Sequence, residues 1–259
     1  MTEAKSRHAF IAGGAGGMGV AIARKLALGG DKITIADLPG PRLDAVAHVL
    51  AEIGAPYHIV ELDIRSVARC REAVSAAAGW GGGIDILVNA AGVWLEGPSE
   101  EVEEQGWDRV FDVNLKGAFF VTSAALPHLV RSRGAVVNIA SDAGLVGNNG
   151  AAVYCASKGG LVLLTKALAL EYAPQGVRFN AVCPADVATP MLDQQAEVYG
   201  GDDPEGYRKK LLAHYPQGDS ARFIRTEEVA RLVQYLCEPD AAPMTGTAIP
   251  LDFGVTAGY

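Results

Sequence analysis

The chain has 259 residues, 49% of them hydrophobic and 20% charged, with a formal net charge of −8. That balance suits a globular protein with a large core, and the negative charge argues against nucleic acid, whose binding rests on cationic contacts to phosphate. Every run of eighteen residues carries a charge or breaks its apolar character, and the start, MTEAKSRHAFIAGG, lacks an apolar signal region, so a cytoplasmic protein without a membrane span is predicted.

Short β-branched runs then alternate with longer helical patterns. HAFIA (8–12) is the first predicted strand, followed by a glycine loop and the helix VAIARKLALGG (20–30). KITIA (32–36) is the second strand, 41–53 a helix, YHIVEL (57–62) the third strand, and VARCREAVSAAA (67–78) a helix. IDILVN (84–89) reads as a strand buried on both faces. A long helical region covers 100–132, AVVNIA (135–140) is the fifth strand, and a helix over 153–173 follows. RFNAVC (178–183) and AIPLD (248–252) are the sixth and seventh strands. Between them, the polar excursion 191–216 predicts a substrate-binding lid, with a solvated helical hairpin as the plainer alternative. The alternation predicts a single α/β domain over 1–259, a doubly wound Rossmann-type parallel sheet of about seven strands with helices on both faces. Cys70, Cys155, Cys183 and Cys237 form no CxxC pair and have no histidine at metal spacing, so reduced core thiols and no metal site are expected.

FIAGGAGGMGVAIA (10–23) lies between the first strand and the first helix. Two overlapping glycine patterns fit it, Gly14-x-Gly16-x-x-Gly19 and Gly13-x-x-x-Gly17-x-Gly19. Either lets the backbone approach a pyrophosphate, with the helix N-terminus offering free N–H groups to it. A flexible turn is the alternative, and the strand–loop–helix context weighs against it. Asp37 ends the second strand, where a carboxylate can accept both ribose hydroxyls of an adenosine and repel a 2′-phosphate, which points to NAD over NADP.

AAVYCASKGGLVLL (151–164) carries two polar residues of interest, Tyr154 and Lys158. Residues at i and i+4 share a helix face. A tyrosine pKa near 10 falls beside an ammonium, which makes a phenol able to exchange a proton with an alcohol or a carbonyl. By spacing alone, Tyr154 in the core with Lys158 snorkelling to water fits equally well.

Here the chain closely resembles the classical short-chain dehydrogenase/reductase family. The resemblance runs through AGGAGGMG (12–19), NAAG (89–92), NLKG (114–117), NIAS (138–141), YCASK (154–158) and RFNAVCPADVATPM (178–191). It implies a catalytic set of Asn114, Ser141, Tyr154 and Lys158. Ser141 would bond the substrate oxygen and Tyr154 would be the acid/base. Lys158 would lower the tyrosine pKa and hold the nicotinamide ribose, and Asn114 would position a relay water. The implied NAD contacts are Gly13, Gly17, Met18, Gly19, Asp37, Asp63, Ile64, Asn89, Ala90, Gly92, Tyr154, Lys158, Pro184, Val187 and Thr189. Asp63 would meet the adenine amino group, and Pro184, Val187 and Thr189 the carboxamide. Asn114 has a plainer reading as a helix polar group bonding backbone, and Asn89 as a brace between strands. Two departures stand out: Ala12 where the family usually has Thr, and Ala185 where it often has Gly.

Ser141, Tyr154, Trp94, Asn148 and Ala185 are the expected substrate contacts, with Asn148 open to a plain turn reading. A sugar, polyol or cyclic secondary alcohol is the first expectation, and a 3-oxoacyl or other ketone the second. A non-catalytic dinucleotide sensor is disfavoured by the presence of Tyr154 and Lys158, and a cofactor-free lyase or epimerase by the intact glycine loop. After Lys158 the helix is apolar almost all round, which points to a subunit interface; the resemblance implies a homotetramer or homodimer.

Overall fold

The computed structural model describes residues 6–258. Seven parallel strands pair in the order β3-β2-β1-β4-β5-β6-β7. They are β1 (His8–Ala12), β2 (Lys32–Asp37), β3 (Tyr57–Glu61), β4 (Ile86–Asn89), β5 (Ala135–Ile139), β6 (Arg178–Pro184) and β7 (Ala248–Leu251). The order reverses between β1 and β4, so the carboxyl ends of these two strands flank a crevice, the usual ligand position in such sheets. Alternate side chains of each strand feed opposite cores. Ile11, Ile35, Val88 and Val137 pack on one face with helices α1 (Gly17–Leu28), α2 (Pro41–Ile53) and α9 (Thr226–Cys237). Phe10, Leu87, Val136 and Phe179 pack on the other with α3 (Val67–Gly81), α5 (Ala118–Ser132) and α6 (Ala152–Tyr172).

The expected long helix over 100–132 is broken. A short 3-10 turn at Ser99–Glu101 precedes α4 (Glu104–Phe111), which passes through a π-helical turn, Asp112–Gly117, into α5. Such turns are frequent at functional sites. This one buries Asn114 completely. Gly117 closes it against β3's exit, where a Cβ would stand 2.6 Å from Ile64 Cγ1.

The excursion after β6 folds as two helices, α7 (Pro190–Tyr199) and α8 (Pro204–Leu212). Their N-termini are capped by Thr189 and Asp203, each with a proline in the first turn. Helix α6 buries Leu161, Val162 and Leu168 inside the protein, yet leaves Leu163 68% and Leu170 80% exposed. By length and a mean hydropathy of 1.3 it would also span a bilayer, but half of that window is buried within the fold.

Candidate active site

The glycine loop turns at the end of β1. Gly13 has φ +77, a left-handed conformation that favours glycine, and a Cβ there would collide with the Ala90–Ala91 backbone leaving β4. At Gly17 a Cβ would fall 2.9 Å from Thr189 Cγ2, so this glycine is where the loop meets the segment after β6. Gly19 packs against the Gly13–Gly14 backbone behind them, and Met18 lies partly buried on the α1–α9 core. All three glycines of the Gly13, Gly17, Gly19 pattern sit where a Cβ would meet a neighbour within 3 Å; in the other pattern Gly14 does too, against Ile35 at 2.9 Å, but Gly16 has no neighbour nearer than 3.4 Å. Among the described residues the amides of Gly17, Met18 and Gly19 find no acceptor, and the first turn of α1 has no acidic side chain. Free amides at a helix start fit a pyrophosphate.

The hydroxyl that Ala12 lacks is replaced by bonds from β2. Gly13 N donates to Ala36 O at 2.8 Å, and Ala15 N donates to Asp37 Oδ2 at 2.9 Å. Asp37 therefore shapes the loop and presents its carboxylate beside it. Asp63 stands just after β3. Its carboxylate is held by Arg65 through two bonds of 2.9 and 2.6 Å, so an adenine amine would have to share it.

Asn89, Ala90 and Gly92 line the end of β4. Asn89 is the brace of the plainer reading: its Nδ2 donates to Asn138 Oδ1 at 2.8 Å and to Thr122 Oγ1 at 3.0 Å. Asn138 Nδ2 passes the chain on to Thr165 Oγ1 at 2.8 Å, which donates to Leu161 O. This buried ladder ties β4, β5, α5 and α6 together, and so fixes α6 relative to the strand ends.

Helix α6 brings Tyr154 and Lys158 to the end of β5. Lys158 is 3% exposed; its Nζ donates to Ile139 O at 2.8 Å and lies 5.8 Å from the Tyr154 ring centroid. Gly92 is at hand, since a Cβ on it would lie 3.4 Å from Lys158 Nζ and 3.6 Å from Asn114 Oδ1. Burial pushes the Lys158 ammonium down to about 8. The expectation that Lys158 lowers the tyrosine pKa needs correcting for this state. Burial raises the Tyr154 phenol well above its ordinary range, the Ser141 hydroxyl only partly opposes this, and Asp142 adds to it. Desolvation is the largest cause, while Lys158 Nζ is bonded to Ile139 O, 5.8 Å from the ring centroid.

Asn114 bonds through both ends of its amide. Its Oδ1 accepts Val93 N at 2.8 Å, and its Nδ2 donates to Val93 O at 3.0 Å and to Ser157 Oγ at 3.1 Å. The side chain thus fixes the strand exit, as the plainer reading had it, and its Oδ1 keeps a second lone pair. Ser141, two residues past β5, caps a 3-10 turn; its hydroxyl donates to Asp142 Oδ1 at 2.8 Å and accepts Ala143 N at 3.2 Å.

Trp94 packs on Tyr154 with ring centroids 4.3 Å apart. Its Nε1 donates to Glu96 Oε2 at 3.0 Å, and Tyr207 of α8 donates to the same oxygen at 2.7 Å. Tyr199 of α7 accepts Glu96 N. The α7–α8 excursion is thereby tied to the wall of the Tyr154 cleft. Asn148 adopts the turn: its carbonyl accepts Ala151 N at 3.2 Å, and its N–H donates to Cys155 Sγ at 3.3 Å. Ala185 donates its N–H to Leu251 O, Val187 bridges to Ile224, and Thr189 caps α7 beside Gly17. Burial raises the thiols of Cys70 and Cys183 to about 11, consistent with inert core cysteines.

Sequence reasoning passed over Asp142, Glu96, Tyr207 and Tyr215. Asp142 had a readable signal, an acid directly after the serine that follows a strand. Glu96 and Tyr207 had none, since they are 111 residues apart.

A pyrophosphate cradle at the switch point of a parallel sheet, with a buried Ser–Tyr–Lys set at the end of the next strands, defines a dinucleotide-dependent oxidoreductase. A family model described as enoyl-(acyl carrier protein) reductase matches residues 13–256. The chain is 37% identical over 254 residues to 2-(S)-hydroxypropyl-CoM dehydrogenase 3 of Xanthobacter autotrophicus, covering 98% of both chains. It is 38% identical over 248 residues to 4-formylbenzenesulfonate dehydrogenase of Comamonas testosteroni, covering 95% of this chain and 96% of the other. A substituted actinorhodin polyketide ketoreductase solved with NADPH superposes with a TM-score of 0.91 at 35% identity, covering 96% of this chain and 97% of the other. The chain belongs to the short-chain dehydrogenase/reductase family, and is an oxidoreductase acting on CH–OH and C=O groups.

Proposed function

We propose that the protein is an NAD-linked dehydrogenase of neutral secondary alcohols, with a sugar, polyol or cyclic alcohol as substrate. The observation that carries the cofactor choice is Asp37. Its carboxylate is fixed at the end of β2 by the Ala15 and Leu38 amides, at the position a ribose edge would take. A 2′-phosphate there would meet this negative charge at close range.

Bound at the glycine cradle, the oxidised nicotinamide supplies the hydride acceptor and a positive charge that favours a phenolate. The protein supplies the rest. Ser141 and the Tyr154 hydroxyl hold the carbinol oxygen, and Tyr154 Oη takes its proton as hydride leaves carbon. In the reverse direction the buried, protonated phenol returns that proton to a carbonyl oxygen. Lys158, held on Ile139 O, keeps a cation next to the ring. Trp94 and the α7–α8 excursion exclude water from the cleft. The protein works as a homotetramer or homodimer in the cytoplasm, with the outward stripe of α6 at a subunit contact.

Initial-rate kinetics with NAD and NADP over a panel of alcohols test this. The unmutated enzyme should prefer NAD and Asp37→Ser should narrow the preference. Equal kcat/KM with NADP in the unmutated protein refutes the cofactor assignment. Tyr154→Phe should keep NAD binding and lose nearly all turnover; near-normal kcat removes Tyr154 from the mechanism.

A further inference from the structure

Three segments around the Tyr154 cleft meet at one carboxylate. Glu96 lies on the chain leaving β4, and its Oε2 accepts Trp94 Nε1 at 3.0 Å and the Tyr207 hydroxyl of α8 at 2.7 Å. Its own N–H donates to the Tyr199 hydroxyl of α7 at 3.3 Å. The N–H of Gly97 donates to Gly150 O at 2.8 Å. Gly150 belongs to the loop between Ser141 and α6, and a Cβ on it would lie 3.7 Å from Glu96 Cγ. The β4 exit, the loop after Ser141 and the α7–α8 excursion are thereby joined around a single side chain.

What the carboxylate holds is an indole against the catalytic tyrosine. Trp94 packs with Ala143, Ala151 and Tyr154 in a small apolar cluster, its ring centroid 4.3 Å from that of Tyr154. An indole there takes the space on one side of the phenol ring, which a substrate substituent cannot share. Packing fixes the contact, and the bond from Nε1 fixes the direction of the ring. Glu96 pairs with no cation among the described residues, so its charge is met by the indole and the Tyr207 hydroxyl. Bonds to an ionised acceptor are stronger than neutral ones. Burial, and then the Glu96 bond, raise the Tyr207 phenol well above its ordinary range, so it remains a donor.

We propose that Glu96 is a positioning residue for substrate selection. It locks Trp94 on Tyr154, with Tyr207 completing the lock from α8, so that the cleft takes secondary alcohols compact on one side of the carbinol and rejects those bulky on both. Breaking the lock frees the indole to turn aside and relaxes that selection. This deepens the proposed function and rests on its reading of the Tyr154 cleft.

Two readouts test it together. One is kcat/KM for an alcohol that the enzyme oxidises and for two analogues, enlarged by a ring on one side of the carbinol or on both, with whichever of NAD or NADP supports turnover. The other is the emission of Trp94 without dinucleotide, in a Trp80→Phe, Trp107→Phe background where it is the sole indole. The unmutated enzyme should favour the one-sided analogue over the two-sided one by more than about tenfold. Glu96→Ala should narrow that ratio roughly tenfold and shift the emission to the red, and Tyr207→Phe should narrow it about fivefold with a smaller shift. Glu96→Gln should keep both close to the unmutated values, since one amide oxygen can accept both donors as Oε2 does. Equal use of the two analogues by the unmutated enzyme overturns the proposal. So does a ratio or an emission left unchanged by Glu96→Ala and Tyr207→Phe, or an equal loss on all three alcohols. Should Glu96→Ala fail to fold, Tyr207→Phe decides alone. Retained turnover in Tyr154→Phe marks instead a failure of the cleft reading, and the emission, which needs no turnover, reports the lock separately.

Discussion

Replacing Lys158 by methionine should remove turnover and change how stability depends on pH. Lys158 has an ordinary value of 10.5 when unfolded and about 8 when folded. Below about pH 8 it is protonated in both states, and folding bears the full desolvation penalty of the ammonium. Between 8 and 10.5 the unfolded chain binds more protons than the folded one, so stability rises with pH by up to about 1.4 kcal/mol per unit. Across that window the gain is roughly 3 kcal/mol. The methionine variant escapes the penalty but leaves Ile139 O, now bonded to Nζ at 2.8 Å, without its donor, which costs about 1–3 kcal/mol at any pH. At pH 7 the variant should therefore be equal to or slightly more stable than the parent. By pH 10 the parent should have overtaken it by most of that 3 kcal/mol. Urea denaturation from pH 7 to 10, without dinucleotide and at fixed protein concentration, measures the difference; the other titrations are common to both proteins and cancel. Parallel curves across the whole range would refute the strained-lysine reasoning.

Asn138→Ala should destabilise the protein by roughly 1–3 kcal/mol, because it removes one of the two partners of the Asn89 amide and the donor to the Thr165 hydroxyl inside the core. A change below about 0.5 kcal/mol in urea unfolding would show that the ladder relaxes around the gap. Leu163→Glu with Leu170→Glu places charge on the exposed stripe of α6 and should lower the sedimentation mass toward a monomer. An unchanged mass, or a monomeric parent, removes α6 from the interface.

The fold was legible because its signals are local. β1 falls on HAFIA, α2 on 41–53, and the doubly wound class follows from the β–α alternation with right-handed crossovers. The π turn was not legible, since 100–132 keeps a helical pattern throughout and the extra residue is set by Gly117 against Ile64, a tertiary contact. The candidate site was readable at the strand ends: Asp37, Asn89 and Pro184 are the last residues of their strands, and Gly13 and Ser141 follow theirs by one and two residues. What these residues bond was less so. Asn89 and Asn114 bond the framework through their amides, the Asp63 carboxylate is paired with Arg65, and Asn148 makes a turn through its backbone.

The Tyr154–Lys158 pair shows where spacing stops being informative. Four residues on a helix fix adjacency, and adjacency suggested that the ammonium would depress the phenol. The dielectric around the pair is fixed elsewhere, by Trp94 over the ring, by the Asn89–Asn138–Thr165 ladder that presses α6 onto the strand ends, and by the α7–α8 excursion anchored on Glu96. Those elements desolvate both groups, and burial then drives the two in opposite directions, the phenol up and the lysine down. A phenol kept protonated in this way is a ready acid for a carbonyl. To act as a base toward an alcohol it needs more positive charge than Lys158 supplies, since the phenol stays raised with that ammonium bonded to Ile139 O. The oxidised nicotinamide is the cation that the glycine cradle would bring to it, so the same site can favour acid or base chemistry according to which form of the dinucleotide it holds.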